Sequence, residues 1–287
     1  MRQRLSNLAL ELWLPVALVV GWWLLSDTST STYFPSLRTI MATFVDTWMF
    51  TRFGSDVIPS MARFAYGLGI ALVIGITIGT VLGLVPTLRR AFDPILDFFR
   101  ALPKPALLPL AIVVFGVGDG MKIFIIAFGT VWPILLNTTD GVRGVDPMLH
   151  DMARVFGLTR WQRLWQIILP AASPQMFVGI RLSLSIGLIL MVVSEMVAST
   201  NGLGFFVLLS QQTFAIPQMW AGILLLGIIG YAVNLVFLMV ERRVLRWHIG
   251  RRAAASGDDH QPTAKPKGRL RRARVVTALS SVFRTNA

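Results

Sequence analysis

Ionisable side chains inside long apolar runs are the first places to look for chemistry. A charge at mid-bilayer depth costs about 2.5 to 3.5 kcal/mol on insertion scales and tends to persist where it serves a function. Arg181 and Glu195 are two such residues. They are 14 positions apart, about 21 Å along a helix, so they do not pair within one. Glu195 falls toward the far end of its run, where it could shape a gate; Arg181 could line a path or extend to headgroups. Ser183, Ser185 and Ser194 could act as nucleophiles, but His150, His248 and His260 all lie outside the apolar runs. A hydrolase would lack its base. The absence of cysteine excludes disulfides and thiolate metal sites, and the scattered histidines suggest no metal cluster. A phosphate-binding loop needs Gly-Lys-Ser/Thr. Lys104 and Lys267 follow proline, Lys122 follows methionine and Lys265 follows alanine, so this chain offers no such lysine.

These side chains must be positioned by a structure built for lipid. Of the 287 residues 54% are hydrophobic and only 14% charged, too few polar groups to cover a soluble domain of this size. An all-α membrane protein with about six transmembrane helices is expected, because crossing the hydrocarbon takes roughly 20 apolar residues. The expected spans are 5–25, 66–86, 98–116, 122–139, 174–197 and 219–240. The first is read as an uncleaved helix, since no small-x-small site follows it. The third begins at Pro103, Pro105 and Pro109, read as a kinked entry, and ends in a turn at Gly116–Gly120. The fifth starts with Ser173 as cap and Pro174 in the first turn.

The formal charge is +13. Excluding the C-terminal tail, 10 basic residues fall in the stretches on the side of the N-terminus, against 4 on the other side: Arg38, Arg52, Arg63 and Lys122. The positive-inside bias therefore puts both termini in the cytosol. Residues 1–250 form the membrane domain. Residues 251–287, with Lys265, Lys267, Arg269, Arg271, Arg272 and Arg274, read as a basic tail on anionic lipid, with no nucleic acid expected.

The loop between the fourth and fifth spans carries dense local signals. Asp146 can cap a helix begun by Pro147, and Gly157 can end it in a left-handed conformation. Thr159 and Gln162 form a capping box for a second helix that Pro170 is expected to stop. Phe156, Leu158, Trp161, Leu164 and Trp165 lie among Arg154, Arg160 and Arg163, the composition of an interface hot spot. An amphipathic helix resting on the membrane has the same spacing. Asn201, Gly202 and Gly204 form either a re-entrant turn or a plain loop.

Asp151-Met152-Ala153, Gly157 six residues after the aspartate, and Ile167-Ile168-Leu169-Pro170 resemble the "EAA" loop of importer-type ATP-binding cassette permeases. Asp151 and Met152 stand where that pattern has Glu and Ala. Phe34-Pro35-Ser36, Arg100-Ala101-Leu102-Pro103, Ser194-Glu195-Met196 and Asn201-Gly202-Leu203-Gly204 are similar to the sulfonate, taurine and nitrate branch, and the likeness spans about residues 33–250.

The resemblance implies a multi-pass permease of a bacterial inner or plasma membrane, working with a second permease copy, two ATPase subunits that hold the ATP, and an extracytoplasmic solute-binding protein. No cofactor is expected on this chain. Asp151, Ala153, Gly157, Trp161, Ile167, Leu169 and Pro170 would form the cytosolic coupling helix that docks on the ATPase. Glu195, Arg181, Asn201, Gly202 and Gly204 are candidates for the translocation path of a small anion. An ion-coupled transporter acting alone is the alternative; it would need several intramembrane acids and repeated halves.

Overall fold

The computed structural model describes residues 33–245 together with 13, 14, 17, 20–24 and 26. Most of the expected first span and the whole basic tail lie outside the described residues, as do His248 and His260. Every regular element among the described residues is helical.

Helix α1 (Leu37–Val45) starts where the Ser36 hydroxyl accepts the Thr39 N–H. It passes through two π-helical turns, Asp46–Thr51 and Phe53–Val57, into α2 (Ile58–Leu84). Helix α3 (Pro86–Ala101) and a 3-10 turn (Lys104–Leu107) lead into α4 (Leu108–Phe115). Then follow α5 (Asp119–Arg143), α6 (Pro147–Val155), α7 (Arg160–Arg163), the π turn Leu164–Ile168, α8 (Leu169–Val197), α9 (Leu203–Gln212) and α10 (Ile216–Val244). Among the described residues, four stretches are long and apolar enough to cross a bilayer: Phe53–Leu84, Asp119–Arg143, Arg160–Val197 and Ile216–Val244. The bent pair Pro86–Ala101 and Lys104–Phe115 could supply a fifth.

Helix α5 is central, packed along α2 on one side and α8 on the other. Lipid supplies no hydrophobic drive for helices to associate, so close backbone approach must hold them. Gly67, Ala71, Gly75, Gly79 and Gly83 recur every fourth residue on the α2 face that meets α5. A Cβ at Gly79 would lie 2.6 Å from the Leu135 carbonyl oxygen, a backbone atom with nowhere to move.

Three expected boundaries are corrected. The helix expected over 66–86 begins at Ile58, and Arg63, read from sequence as a loop residue, lies inside it and is 4% exposed. The single helix expected over 98–116 is two pieces bent by 90°. Leu102 precedes Pro103 and is pushed into extended backbone (ψ 130°), and the Lys104 ammonium caps the broken end by donating to the Phe99, Arg100 and Leu102 carbonyls.

The third correction concerns Pro170, which does not stop the helix before it. The segment Arg160–Val197 is a 38-residue helical run. A π turn widens the coil just ahead of Pro170, and its missing N–H falls in the first turn of α8. Pro174 then sits inside α8, so Ser173 is not an N-cap. Its hydroxyl donates to the Pro170 carbonyl at 2.8 Å, the acceptor that Pro174 leaves without an amide.

Candidate functional site

The elbow between α5 and α8 is built from local capping. Asp146 Oδ1 accepts the Met148 N–H at 2.8 Å, with Pro147 opening α6. At the other end Leu158 N donates to Ala153 O and Gly157 N to Arg154 O, both at 3.0 Å. This is a Schellman closure, and it needs the left-handed φ of +67° that Gly157 adopts. The Thr159–Gln162 capping box is formed in both directions. The result is a stiff, bent elbow rather than a loose loop.

One face of the elbow is buried through Ala153 and Ile168, with Ile167, Leu169 and Pro170 half-buried beside it. The other face presents Val155, Phe156, Trp161 and Trp165 to solvent, Phe156 at 74% and Trp161 at 67% exposure. Trp161 and Trp165 pack edge-to-face. Asp151 pairs with Arg154 at 3.3 Å with both side chains exposed, a contact too well solvated to hold the carboxylate. Burial pushes the His150 imidazole below its usual value, Arg163 and Arg154 push the same way, and Asp151 opposes them. Its Nδ1 and the Arg163 Nε are both buried without a hydrogen-bond partner among the described residues.

At the opposite end of α8, about 39 Å along the helix from Leu169, lies a buried polar network that joins α2, α5, α8 and α9. Arg63 donates to Glu195 Oε1 at 2.7 Å, to Asn201 Oδ1 at 2.6 Å and to Asp119 Oδ1 at 2.8 Å. Ser60 Oγ is 2.8 Å from Glu195 Oε1 and accepts the Leu203 N–H. The first turn of α9 is held by carboxylates: Gly202 N donates to Asp56 Oδ1 and Gly204 N to Glu195 Oε2. Negative groups belong at a helix N-terminus, whose first amides have no partner in the helix.

Gly202 has φ +112°, and a Cβ there would lie 2.5 Å from the Glu195 carboxyl carbon. Backbone conformation and space therefore both restrict that position. Lys122 joins through Asp119 and Arg52 through Asp56, so three cations meet three carboxylates. Glu195 is 0% exposed and Asp56 2%.

The sequence-derived path candidates thus separate. Glu195, Asn201, Gly202 and Gly204 come together, as ties between α8 and α9. Arg181 stands apart, paired with Glu241 of α10 and placed over the Phe237 ring. A third feature is an apolar cavity of about 540 Å³ at the α3–α4 break, lined by Arg100, Lys104, Trp132, Asn137, Leu182 and Ile189 among others.

Comparison with known proteins places this architecture. The family model described as "Binding-protein-dependent transport system inner membrane component" matches residues 71–246, a stretch that contains the elbow, the α3–α4 break and Glu195. The chain belongs to this family.

Relatives of the permease include the taurine transport system permease protein of Escherichia coli (strain K12), 35% identical over 66% of this chain and 69% of that protein. A putative aliphatic sulfonates transport permease protein of Bacillus subtilis (strain 168) is 32% identical over 82% and 86%. Among solved structures, an inward-facing form of the MetNI methionine ABC transporter matches with a TM-score of 0.57 at 22% identity, over 66% of this chain and 94% of that chain. That match establishes the shared fold. The protein is a membrane-embedded ABC importer permease subunit.

Sequence reasoning missed the partners that make the permease's network: Asp56, Ser60, Arg63, Asp119 and Lys122. One signal was available. The apolar pattern of α2 continues upstream of Arg63 through Ile58 and Val57, which places Arg63 and Ser60 on a helix rather than in a loop.

Proposed function

We propose that this permease imports a small sulfonate-type anion by alternating access, powered by a separate ATPase subunit that docks on the α6–α7 elbow. One observation carries the reading. The exposed aromatic face at Trp161 and Trp165 is joined to Glu195 by the 38-residue run Arg160–Val197. A displacement of the elbow is delivered along that run, about 57 Å at 1.5 Å per residue, to the network that ties α8 to α9. Two packings of such a bundle, biased by nucleotide at one end and by a loaded solute-binding protein at the other, are enough for transport.

In this reading the elbow faces the cytosol, ATP is bound and hydrolysed on the partner, and two permease copies share two ATPases. Asp151, with its solvated carboxylate, and Phe156, Trp161 and Trp165 contact the ATPase. Ala153 and Gly157 shape the elbow from within. The solute passes along the cavity at the α3–α4 break, where Arg100 and Lys104 place positive charge beside an otherwise apolar wall. The relatives named for taurine and aliphatic sulfonates support the choice of anion. The ion-coupled alternative loses its main requirement, since Asp56, Asp119 and Glu195 are each engaged by a cation.

The test uses the absence of cysteine from the chain. Phe156→Cys, probed in cells with a membrane-impermeant maleimide, should label only after the membrane is opened and should crosslink to a co-expressed ATPase. In proteoliposomes, taurine uptake should require ATP, the ATPase and the binding protein together. Labelling from outside, or uptake by the chain alone down an ion gradient, would refute this function.

A further inference from the structure

A second, smaller cavity of about 340 Å³ lies where the π turn after α1 faces α9 and the start of α10. Its lining includes Thr47, Arg52, Ser210, Thr213 and Gln218, and contains no carboxylate. Thr47 and Ser210 are 9% and 5% exposed, and neither hydroxyl makes a hydrogen bond among the described residues. Other hydroxyls in the same region are satisfied: Thr51 bonds the Asp46 carbonyl and Thr213 the Leu209 carbonyl. Two hydroxyls that line a polar cavity without protein partners are free to donate to a ligand that brings acceptors.

Arg52 supplies the charge. It is 43% exposed and meets Asp56 only at 3.5 Å. That carboxylate already receives the Gly202 N–H at 2.8 Å and the Ser55 hydroxyl at 3.1 Å. The guanidinium lies over the Phe206 ring at 5.2 Å, a cation–π contact that leaves its N–H groups available. The π turn contributes as well: the Arg52 N–H bonds the Thr47 carbonyl five residues back, a wide turn of a kind often found at functional sites. A forked cation, two free hydroxyls and the Gln218 amide are donors matched to an oxyanion with at least two acceptor oxygens.

We propose that this cavity binds the oxyanion group of a small solute or of a lipid headgroup, with Arg52 as its cation and Thr47 and Ser210 as its hydroxyl donors. This site is distinct from the apolar cavity at the α3–α4 break. It stands apart from the import reading, because it is tested by binding without nucleotide whereas import is tested by ATP-driven uptake; either can fail alone.

The full chain in dodecyl maltoside should broaden the 19F line of trifluoromethanesulfonate, and methanesulfonate should reverse the broadening. Arg52→Gln should weaken this binding about tenfold or more. The pair Thr47→Val and Ser210→Ala, which leaves the ion network untouched, should weaken it several-fold with thermal unfolding unchanged. In a parallel arm, native mass spectrometry after addition of phosphatidylglycerol counts retained lipid. Arg52-dependent sulfonate binding assigns the site to a free solute, and Arg52-dependent lipid retention without sulfonate competition assigns it to a headgroup. If wild type and both variants behave alike in both arms, the proposal is overturned.

Discussion

Arg63 and Glu195, 132 positions apart, meet at 2.7 Å with side chains 4% and 0% exposed. The pair pins the start of α2 to the end of α8, and Asn201 and Asp119 complete the guanidinium's partners. Removing one member of a buried pair leaves the other uncompensated, at a cost of about 3 to 5 kcal/mol. Glu195→Leu and Arg63→Met should each lower unfolding stability in detergent by about that amount. The double variant Arg63→Met, Glu195→Leu should be less damaged than the sum of the two. Strict additivity, or single effects near zero, would mean that the pair contributes little.

The α2–α5 interface depends on backbone proximity, so Gly79→Val should separate the two helices. With a Cβ 2.6 Å from the Leu135 carbonyl oxygen, strain of about 1 to 3 kcal/mol or more is expected. Gly69→Val, at a position where a Cβ meets nothing within 4 Å, is the control. Melting temperatures of the two purified variants check this, and equal values would show that the close approach is not needed.

At the elbow, shape and contact can be separated. Gly157→Ala forces a Cβ into a left-handed position and should cost about 1 to 2 kcal/mol, seen as faster hydrogen exchange in α6. Phe156→Asp, at an exposed site, should leave that exchange unchanged but abolish copurification of the ATPase. Full copurification with Phe156→Asp would move the docking surface elsewhere.

His150 gives the elbow a dependence on pH. Its native value is lowered by burial first and by Arg163 next, so the unfolded elbow binds the proton more readily than the folded one. Local stability is then greatest above the unfolded value of roughly 6.5 and declines as pH falls through the lowered native value. Amide protection in α6, corrected for intrinsic exchange, should fall on acidification in the wild type and much less in His150→Gln. A flat wild-type profile would exclude the effect.

The elbow was legible because each of its determinants acts across a few residues. Asp146 with Pro147, Gly157, and Thr159 with Gln162 each fix local geometry without help from the rest of the chain. Pro170 misled for the same reason: a local rule predicted a stop, and the π turn before it together with the packing of α8 on α5 carried the helix through. Arg63 misled because a guanidinium looks incompatible with a span until its neutralising partners are known.

Residue order was enough to give a lipid-embedded helical chain with a capped elbow ahead of the fifth span, since apolar run lengths and capping residues report directly on the backbone. Tertiary structure alone decided that Arg63, Asp119, Glu195 and Asn201 share one site, that Arg181 belongs with Glu241 instead, and that Thr47 and Ser210 are left facing a cavity. Those relationships join residues from helices far apart in the chain. They depend on how closely the glycine face of α2 lets α5 approach, a distance that no short-range pattern encodes.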